Sequence, residues 1–573
     1  MRKKKDHRIE KQLTNHFGNY SLYSFFSVLL AFLSMAYIYF FFLGFSRNKT
    51  NVPYWDEWDV RINWSTHFNK LGISQLLELH NEHRPLLSYI TFIIDNRFFQ
   101  GNTGFLYIFN FALIALIAVL LILNFSRYRT KEMNENFLIY GISVCVFLFS
   151  LVGNENLYWG LESVFYTTLL IPMISFSLLE TWKHKLSNQR IILITSIAAL
   201  SSLTTAAGQM ASFVVGFYFL LIIKNYKAGI LNLAISAVVY ILYHLNYPSE
   251  NNSILFAAKH ASLVIIYLLK FYLSPVYTGS KGNYLLSTLW GIIFSYCFYK
   301  YVQNIKKKTE FNSFAFLTII YIAVSSVLIS IGRLQFGTNQ AFSSRYTIYP
   351  LVMFLTLIAE ISRVPQKKKA KRKFLEISYL KISLLLFLVS TFPLQISSSQ
   401  RQMQIQEQRQ FAQLLIKYRI PDSAISAVYP DPLRAILVSK PYLQTESFNF
   451  GNSEFSYNQN NIDVKKESVT KKCLSHLDSI RQSNGDQKSE ILRGWISDGK
   501  QKQKPGRILI LDEVNRIIGL GFVGTERKDV AQALKIQDQY SGYDAVIFDR
   551  TNIGKNLNII FEDGLCNATS PVI

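Results

Sequence analysis

The chain has 573 residues, of which 50% are hydrophobic and only 17% are charged. A soluble protein would carry about a quarter charged residues, so the composition argues against a soluble globular protein. On a soluble chain, the net charge of +23 would suggest a nucleic-acid partner. Here the basic residues lie at the ends of long apolar runs, which favours a membrane protein and no nucleic acid.

Apolar runs of spanning length recur over residues 1–395, the predicted membrane domain. A helix needs about 20 apolar residues to cross a bilayer. About eleven α-helical spans are predicted, at residues 21–44, 103–125, 136–153, 164–181, 190–206, 209–224, 228–245, 284–303, 312–332, 346–363 and 378–395. With the N-terminus in the cytoplasm, the basic loops near residues 128, 184, 225, 306 and 370 share the cytoplasmic side, as the positive-inside rule requires. The odd count then places the C-terminal part outside the cytoplasm.

Two further apolar stretches do not fit this alternation. One is Pro85–Phe99, which is interrupted by polar residues at 95–97, and the other is roughly Ile254–Leu273. If both crossed the membrane, the basic loop at Arg127 would move to the outside. We therefore predict that both stretches are helices lying along the outer membrane surface.

The polar C-terminal part divides into two segments. Residues 396–466 are predicted to form a helical linker that includes the run RQMQIQEQRQFAQLLIKY. Residues 467–573 hold short β-rich runs such as RILILDE and YDAVIFD between turn signals, which predicts a small β-sandwich. Cys473 and Cys566 lie near the two ends of this segment. If the segment is extracytoplasmic, they could pair as a disulfide.

The first outer loop, about residues 45–102, contains the acidic motif PYWDEWD. Asp56, Glu57 and Asp59 follow the first span by only about ten residues. A carboxylate at a lipid surface could act as a general base or hold a divalent cation. The alternative is a solvated loop in which Trp55 and Trp58 anchor in the membrane interface.

The same loop continues into the run HNEHR, which contains His80, Glu82, His83 and Arg84. Two histidines at i and i+3 could share a helix face. They could bind a metal together with Asp56 or hydrogen-bond a sugar. The alternative is a polar helix start before the proline that follows.

A third outer segment, residues 154–162, begins with Asn154 and Glu155 and reads NENLYWGLE. It mixes acids, amides and aromatic rings, as carbohydrate sites do, and an ordinary aromatic belt is the alternative. Gln209, at the outer turn between two short spans, is a further candidate for binding substrate.

Two arginines stand at the outer ends of adjacent late spans. Arg333 ends one span, and Arg345 and Tyr346 begin the next. Arginine suits bidentate phosphate binding, and the positive-inside rule makes outer arginines unexpected. The alternative is a structural salt bridge or cap.

Together these motifs resemble a GT-C type glycosyltransferase. That superfamily comprises polytopic enzymes that take a sugar from a polyprenyl-phosphate carrier on the outer side of the membrane, and an acidic motif in the first outer loop is its hallmark. Here that motif would be Asp56-Glu57. The runs HNEHR, NENLYWGLES, SSRY, YPDP, GWISD, GLGFVGTERKDV and SGYDAVIF are similar to a bacterial envelope-polysaccharide subset.

The resemblance implies a role for each motif. Asp56 would deprotonate the acceptor hydroxyl, giving inversion at the anomeric carbon. Glu57 would orient the acceptor or assist a divalent cation, Mg²⁺ or Mn²⁺, if one is used. Arg345, with Arg333, would stabilise the departing phosphate. The further candidates for binding substrate are Asp59, His80, Glu82, His83, Arg84, Asn154, Glu155, Gln209 and Tyr346.

The expected partners are a polyprenyl-phosphate-linked sugar, a glycan or glycolipid acceptor and membrane lipid, in a bacterial plasma membrane. A lipid-linked glycan polymerase is one alternative, but it would need a large outer loop between late spans. A glycolipid transporter or flippase is another, but transporters place functional polar residues near the midplane and often contain inverted repeats. A receptor whose sandwich binds glycans is a third alternative.

Overall fold

The computed structural model describes residues 27–48, 50–60, 76–81, 83–101, 103–128, 134–245, 253–277, 284–305, 312–362, 370–444, 472–498, 506–514, 516–536, 539–554, 556–561 and 566–571. Glu82 and the side chains of Asn154 and Glu155 lie outside the described part. The same holds for the basic clusters at residues 2–5 and 306–308.

Helices dominate the chain up to residue 444. They are α1 (Ser27–Arg47), α2 (Leu86–Phe98), α3 (Thr103–Ser126), α4 (Asn134–Leu148), α5 (Asn154–Tyr158), α6 (Ser163–Trp182), α7 (Asn188–Leu200), α8 (Met210–Tyr218), α9 (Tyr226–His244), α10 (Ser253–Lys259), α11 (Ala261–Leu273), α12 (Tyr284–Ile305), α13 (Ser313–Arg333), α14 (Ile348–Ser362), α15 (Ala370–Lys417) and α16 (Pro432–Gln444). A further short helix begins at residue 57.

A helix lies at each of the eleven predicted span positions. By length and composition, 7 described helices are long and apolar enough to cross a membrane. The pair α10 and α11 is bent by 101°, and counting it as one broken span gives up to 8. The chain is therefore a helical, multi-pass membrane protein in its first part, while the count of eleven stays a prediction.

The helix ends gather into two groups. At one end of the bundle, Glu180 of α6 accepts hydrogen bonds from the Tyr128 hydroxyl and from the Ser313 backbone N–H. Close in sequence to these groups, Asn312 donates to Glu360 of α14 over 2.6 Å. The loops predicted to lie outside meet at the opposite end. This grouping of the helix ends is expected if successive helices cross the membrane in opposite directions. Only the charge pattern indicates which end faces the cytoplasm.

Helix α15 is one continuous helix of 48 residues. At 1.5 Å per residue it is about 70 Å long, more than twice the bilayer's apolar thickness of about 30 Å. The predicted last span and the first part of the predicted linker therefore belong to one helix. Its distal half carries the C-terminal domain.

The C-terminal domain contains one antiparallel sheet. Its strands are β1 (Leu474–Gln482), β2 (Glu490–Ser497), β3 (Gly506–Leu511), β4 (Ile517–Thr525), β5 (Gly542–Ile547), β6 (Asn556–Phe561) and β7 (Asn567–Pro571), with helix α17 (Lys528–Leu534) between β4 and β5. The strand order is β1-β2-β5-β4-β3-β6-β7.

The two edges of this sheet approach each other. The hydroxyls of Ser475 and Ser570 are 2.8 Å apart, and Cys473 and Cys566 form the predicted disulfide. The described strands therefore form a single, nearly closed barrel rather than the two sheets of a sandwich. Closure leaves little edge-strand surface exposed, and the spacing of short strands along a sequence does not reveal it.

The distal half of α15, the linker, one face of the sheet and the acidic loop share a hydrophobic core. Val52 and Trp58 of the acidic loop are fully buried there, together with Phe411 of α15 and Leu520 of β4. Trp58 is therefore a core residue, so the alternative in which it anchors in the membrane interface does not hold for this side chain. The acidic loop is held by the C-terminal domain as well as by the membrane helices.

Glu407 of α15, beyond the predicted last span, is a buried carboxyl group facing this domain. It accepts a hydrogen bond from the Thr525 hydroxyl over 3.1 Å. Burial, and after it the negative charge of Asp544, raise the pKa of Glu407 well above its usual value. Arg493, which lies 2.7 Å from Asp544, offsets this effect only in part.

We expect Glu407→Gln to stabilise the protein at neutral pH. A carboxyl whose pKa is raised by folding stabilises the folded state fully only below the unfolded pKa, and this stability is lost as the pH rises toward the folded pKa. Glutamine stays neutral at every pH, so its unfolding midpoint should lie above that of wild type at neutral pH and approach it as the pH falls. Thermal unfolding of both proteins between pH 4.5 and 8, with Glu490→Gln as control, tests this. Parallel curves for Glu407→Gln and wild type would contradict it.

Candidate functional site

The acidic motif forms a tight turn that leads into a short helix. The Trp58 N–H donates to the Trp55 carbonyl over 3.0 Å, and the Val60 N–H donates to the Asp56 carbonyl over 3.1 Å. This turn directs the three carboxylates toward different partners. The motif is thus three separate sites rather than one acidic cluster.

Asp56 is the carboxylate that faces the open side of the loop. Its Oδ2 lies 3.3 Å from Nε2 of His80, and its side chain is 39% exposed. The histidine side chain is 20% exposed, so the pair is shielded on one side and accessible on the other. A carboxylate held in this way by an imidazole can accept a proton from a ligand hydroxyl.

Glu57, by contrast, is buried at 1% exposure. Its Oε1 accepts hydrogen bonds from the backbone N–H groups of Gly160 and Leu161, and its Oε2 accepts one from Tyr54. It thereby satisfies backbone donors just before α6. A Cβ at Gly160 would lie only 2.8 Å from this carboxylate. Glu57 joins two loops structurally, and this geometry does not favour the predicted contact with acceptor or cation.

Asp59 binds the linker that contains the YPDP run. It accepts hydrogen bonds from the Tyr429 hydroxyl over 2.9 Å and from Arg434 over 3.0 Å. Burial, followed by the hydrogen bond to Asp59, raises the pKa of Tyr429 to about 12. Asp59 is thus a docking residue for the linker in this structure.

Trp55 has a backbone conformation that is unusual for a bulky residue. Its φ is +49°, and its N–H donates to the Val428 carbonyl over 2.8 Å. Such a conformation costs of order 1–3 kcal/mol and persists where the surroundings impose it. The side chain is 40% exposed, with its ring 6.3 Å from that of Trp159.

The described residues of the HNEHR run form a tight turn and not a helix. His80 and His83 exchange two backbone hydrogen bonds of 2.8 and 2.9 Å, and Asn81 between them has φ +53°. The predicted common helix face is therefore wrong, because the left-handed residue reverses the chain. Nδ1 of His83 accepts a hydrogen bond from the Ala206 N–H over 3.4 Å.

Arg84 binds the end of α9. It donates to the carbonyl oxygens of Tyr243 over 3.0 Å and of Leu245 over 2.7 Å, and also to that of Leu77. Its guanidinium additionally lies 5.6 Å from the Tyr243 ring centre. Since last-turn carbonyls need such donors, Arg84 caps this helix in the structure, and its contact with substrate stays a prediction.

The NENLYWGLE segment lies between the acidic loop and Arg345. Asn110 of α3 donates to the carbonyl oxygens of Asn156 over 2.8 Å and of Trp159 over 3.1 Å. Asn156 in turn donates to the Arg345 carbonyl over 2.8 Å. These bonds fix Trp159, whose indole N–H is buried without a hydrogen-bond partner among the described residues.

Arg345 is held at the centre of this region. Its Nη1 lies 3.3 Å from Glu162 Oε1, its Nε donates to the Ser343 hydroxyl over 3.1 Å, and its guanidinium lies 5.2 Å from the Trp159 ring centre. The side chain remains 23% exposed. The Trp159 ring therefore lies between Arg345 and Trp55, and Trp55 precedes Asp56 in the chain.

The other outer candidates have different surroundings. Tyr346 is 1% exposed and packs against Phe165 and Phe271, so it is a core residue in this structure, and its contact with substrate stays a prediction. Arg333 lies over the Phe336 ring at 5.7 Å. The side chain of Gln209 is 3% exposed, and its carbonyl oxygen has no hydrogen-bond partner in the described part of the chain.

Arg409 of α15 is a site residue that the sequence did not indicate. Its guanidinium stacks 4.2 Å from the Tyr54 ring centre and donates to the Tyr107 hydroxyl over 3.4 Å. The Tyr54 ring meets that of Trp159 edge-on at 5.2 Å. In the sequence, Arg409 is one of several polar residues in a helical run, and only its contact with the aromatic cluster distinguishes it.

A divalent cation finds little support in the described side chains. Asp56 pairs with His80, and Glu57 is bound to backbone N–H groups. Within the described ranges, no group of three or more His, Cys, Asp or Glu side chains is arranged to hold a metal ion. The predicted Asp56 and Glu57 pair therefore does not form a cation site in this conformation.

An apolar cleft of about 510 Å³ runs between α8, α9 and α13. Aromatic and aliphatic side chains line it, among them Phe213, Phe217, Tyr240 and Phe316. Its size and lining suit an apolar chain.

Comparisons with protein families, with curated proteins and with solved structures find no match to this chain.

Proposed function

We propose that this protein is a membrane glycosyltransferase of the GT-C type. It transfers a sugar from polyprenyl phosphate to an envelope glycan or lipid-linked acceptor on the outer face of a bacterial plasma membrane. The observation that carries the proposal is the half-exposed Asp56–His80 pair. It lies next to Trp55, across Trp159 from Arg345, at one end of a membrane helix bundle.

In the proposed reaction, the acceptor hydroxyl oxygen attacks the anomeric carbon of the donor sugar from the face opposite the phosphate. The bond between the anomeric carbon and the phosphate oxygen breaks, and the configuration inverts. Asp56 takes the hydroxyl proton, with His80 holding Oδ2 in place. Polyprenyl phosphate leaves with its negative charge stabilised by Arg345.

The remaining groups position these residues. Glu57 and Asn156 fix the loops that carry Asp56 and Arg345. The exposed Trp55 ring offers a flat apolar face beside Asp56, on which an acceptor sugar can stack. The apolar cleft between α8, α9 and α13 can take part of the polyprenyl chain.

The test is transfer by the purified full-length protein in liposomes. Polyprenyl-phosphate donors with different radiolabelled sugars are supplied together with acceptor extracted from the envelope of the source bacterium. We expect one donor to be consumed and its label to enter the acceptor fraction, with no transfer by Asp56→Asn. Absence of transfer from every donor by folded protein would contradict the proposal. Movement of a labelled glycolipid between leaflets without donor consumption would favour a flippase.

A further inference from the structure

Lys270, on the outer-end side of α11, is a cation with neutral partners. Its ammonium group donates to the Thr338 hydroxyl over 2.7 Å and to the Asn339 side-chain oxygen over 2.8 Å. It also lies 5.7 Å from the Phe342 ring centre. These three residues belong to the segment that joins Arg333 to Arg345. A positive charge held by neutral groups can still attract an anion.

Tyr267 lies one turn earlier on the same helix. Its side chain is fully buried, and its hydroxyl has no hydrogen-bond partner among the described residues. On the same helix, the Phe271 ring lies 6.1 Å from that of Tyr346, the residue that follows Arg345. A buried hydroxyl without a partner costs about 1–3 kcal/mol. Such a group in a native structure commonly marks a place for water, an ion or a ligand.

The neighbouring face of α11 indicates how a ligand would arrive. Ile265 and Leu269 are 61% and 62% exposed, although both are large apolar residues. The α10–α11 pair together is apolar enough for a membrane segment. The cationic groups therefore adjoin a surface suited to lipid, which favours an anion carried by a lipid over one that is free in water.

We infer that Tyr267 and Lys270 of α11 complete, with Arg333 and Arg345, a binding site for the phosphate group of a lipid. The inference rests on the proposed function in one respect, since that lipid is the polyprenyl-phosphate donor. The two arginines supply planar forks for phosphate oxygens, Lys270 supplies a point charge, and the Tyr267 hydroxyl donates the hydrogen bond that it lacks in the free protein. Helix α11 thereby becomes part of the site.

The first experiment measures binding of radiolabelled polyprenyl phosphate to the full-length protein in phosphatidylcholine nanodiscs. We expect Lys270→Gln to weaken binding about tenfold or more, the effect of one charge-assisted hydrogen bond. The control is Lys259→Gln, which removes the same charge from an exposed position on α10 and should leave affinity unchanged. Equal effects of the two substitutions would overturn the inference.

Tyr267→Phe provides a second, independent readout. Removing an unpaired buried hydroxyl should raise or preserve the unfolding midpoint of the free protein, while affinity for polyprenyl phosphate falls several-fold. A tyrosine that only packs in the core would give unchanged affinity, and that result would overturn the inference. Loss of folding by this variant would also contradict it, because the hydroxyl would then have a structural partner.

Competition distinguishes the sources of phosphate. We expect neither inorganic phosphate nor phosphatidylglycerol to displace polyprenyl phosphate at equal concentration. Equal displacement by inorganic phosphate would mean a site for the free anion, and equal displacement by phosphatidylglycerol would mean a general anionic-lipid surface. Either outcome overturns the inference. If both variants weaken polyprenyl-phosphate binding but the wild-type protein transfers no sugar, the proposed function falls and the binding site stands. If the wild-type protein transfers sugar and both variants transfer it at the same rate, the binding site falls and the proposed function stands.

Discussion

Asp56→Asn is expected to lower the rate of sugar transfer by about 10²–10⁴-fold, the range that a general base contributes. Asparagine has nearly the same shape and can still hydrogen-bond His80, but it cannot take the proton of an acceptor hydroxyl. The side chain is 39% exposed, so the free energy of unfolding should change by less than about 0.5 kcal/mol. Initial transfer rates at equal amounts of folded protein measure the effect.

The two other carboxylates of the motif are matched controls. Glu57→Gln places an amide where the buried carboxylate accepts backbone hydrogen bonds, so it should destabilise the fold by about 1–3 kcal/mol. Asp59→Asn weakens a partly exposed contact with Arg434 and should leave the unfolding midpoint nearly unchanged. A wild-type rate for Asp56→Asn, or a fall that only follows the folded fraction, would remove Asp56 as the base.

The membrane helices could be predicted from the sequence because each of them depends only on the length of a local apolar run. A run of about 20 apolar residues forms a helix wherever its backbone cannot bond to water. The kink between α10 and α11 was not accessible, since the stretch from Ile254 to Leu273 contains neither proline nor glycine. Barrel closure was also hidden, although the pairing of Cys473 with Cys566 was correctly anticipated and joins the two edges.

The grouping of the candidate residues could be predicted from the sequence, but the partner of each side chain could not. The sequence placed Asp56, Glu57 and Asp59 in one cluster, yet their partners come from three distant segments: His80, the turn at Gly160, and Tyr429. Spacing along a chain does not determine which carboxylate caps a helix and which stays open. That depends on long-range packing.

Arg409, Tyr267 and Lys270 were missed for a related reason. Arg409 lies in a run that is typical of a polar linker, and Tyr267 and Lys270 lie in a run that is typical of an apolar membrane-surface helix. Nothing in either sequence pattern indicates a site residue. Their distinguishing properties are a ring stacked at 4.2 Å, a buried hydroxyl without a partner in the described structure and an ammonium group with neutral partners. All three properties exist only after the helices have packed.

Arg345→Ala is expected to lower turnover by about 10²–10³-fold, as removal of one donor to developing negative charge does in other enzymes. The arginine is held for this role by Glu162 at 3.3 Å and by the Trp159 ring at 5.2 Å. The single substitution has a second effect, because it leaves Glu162, only 5% exposed, without the arginine. Breaking a buried pair in this way costs about 3–5 kcal/mol.

The double variant Arg345→Gln with Glu162→Gln separates the two effects. Since it removes both charges, its unfolding midpoint should return toward that of wild type, while turnover stays low because the phosphate has lost its cation. Arg190→Gln is the control, as this guanidinium lies over Trp182 at 5.3 Å at the other end of α6. Wild-type turnover by the double variant would mean that Arg345 serves only to neutralise Glu162, and the departing phosphate would need another partner.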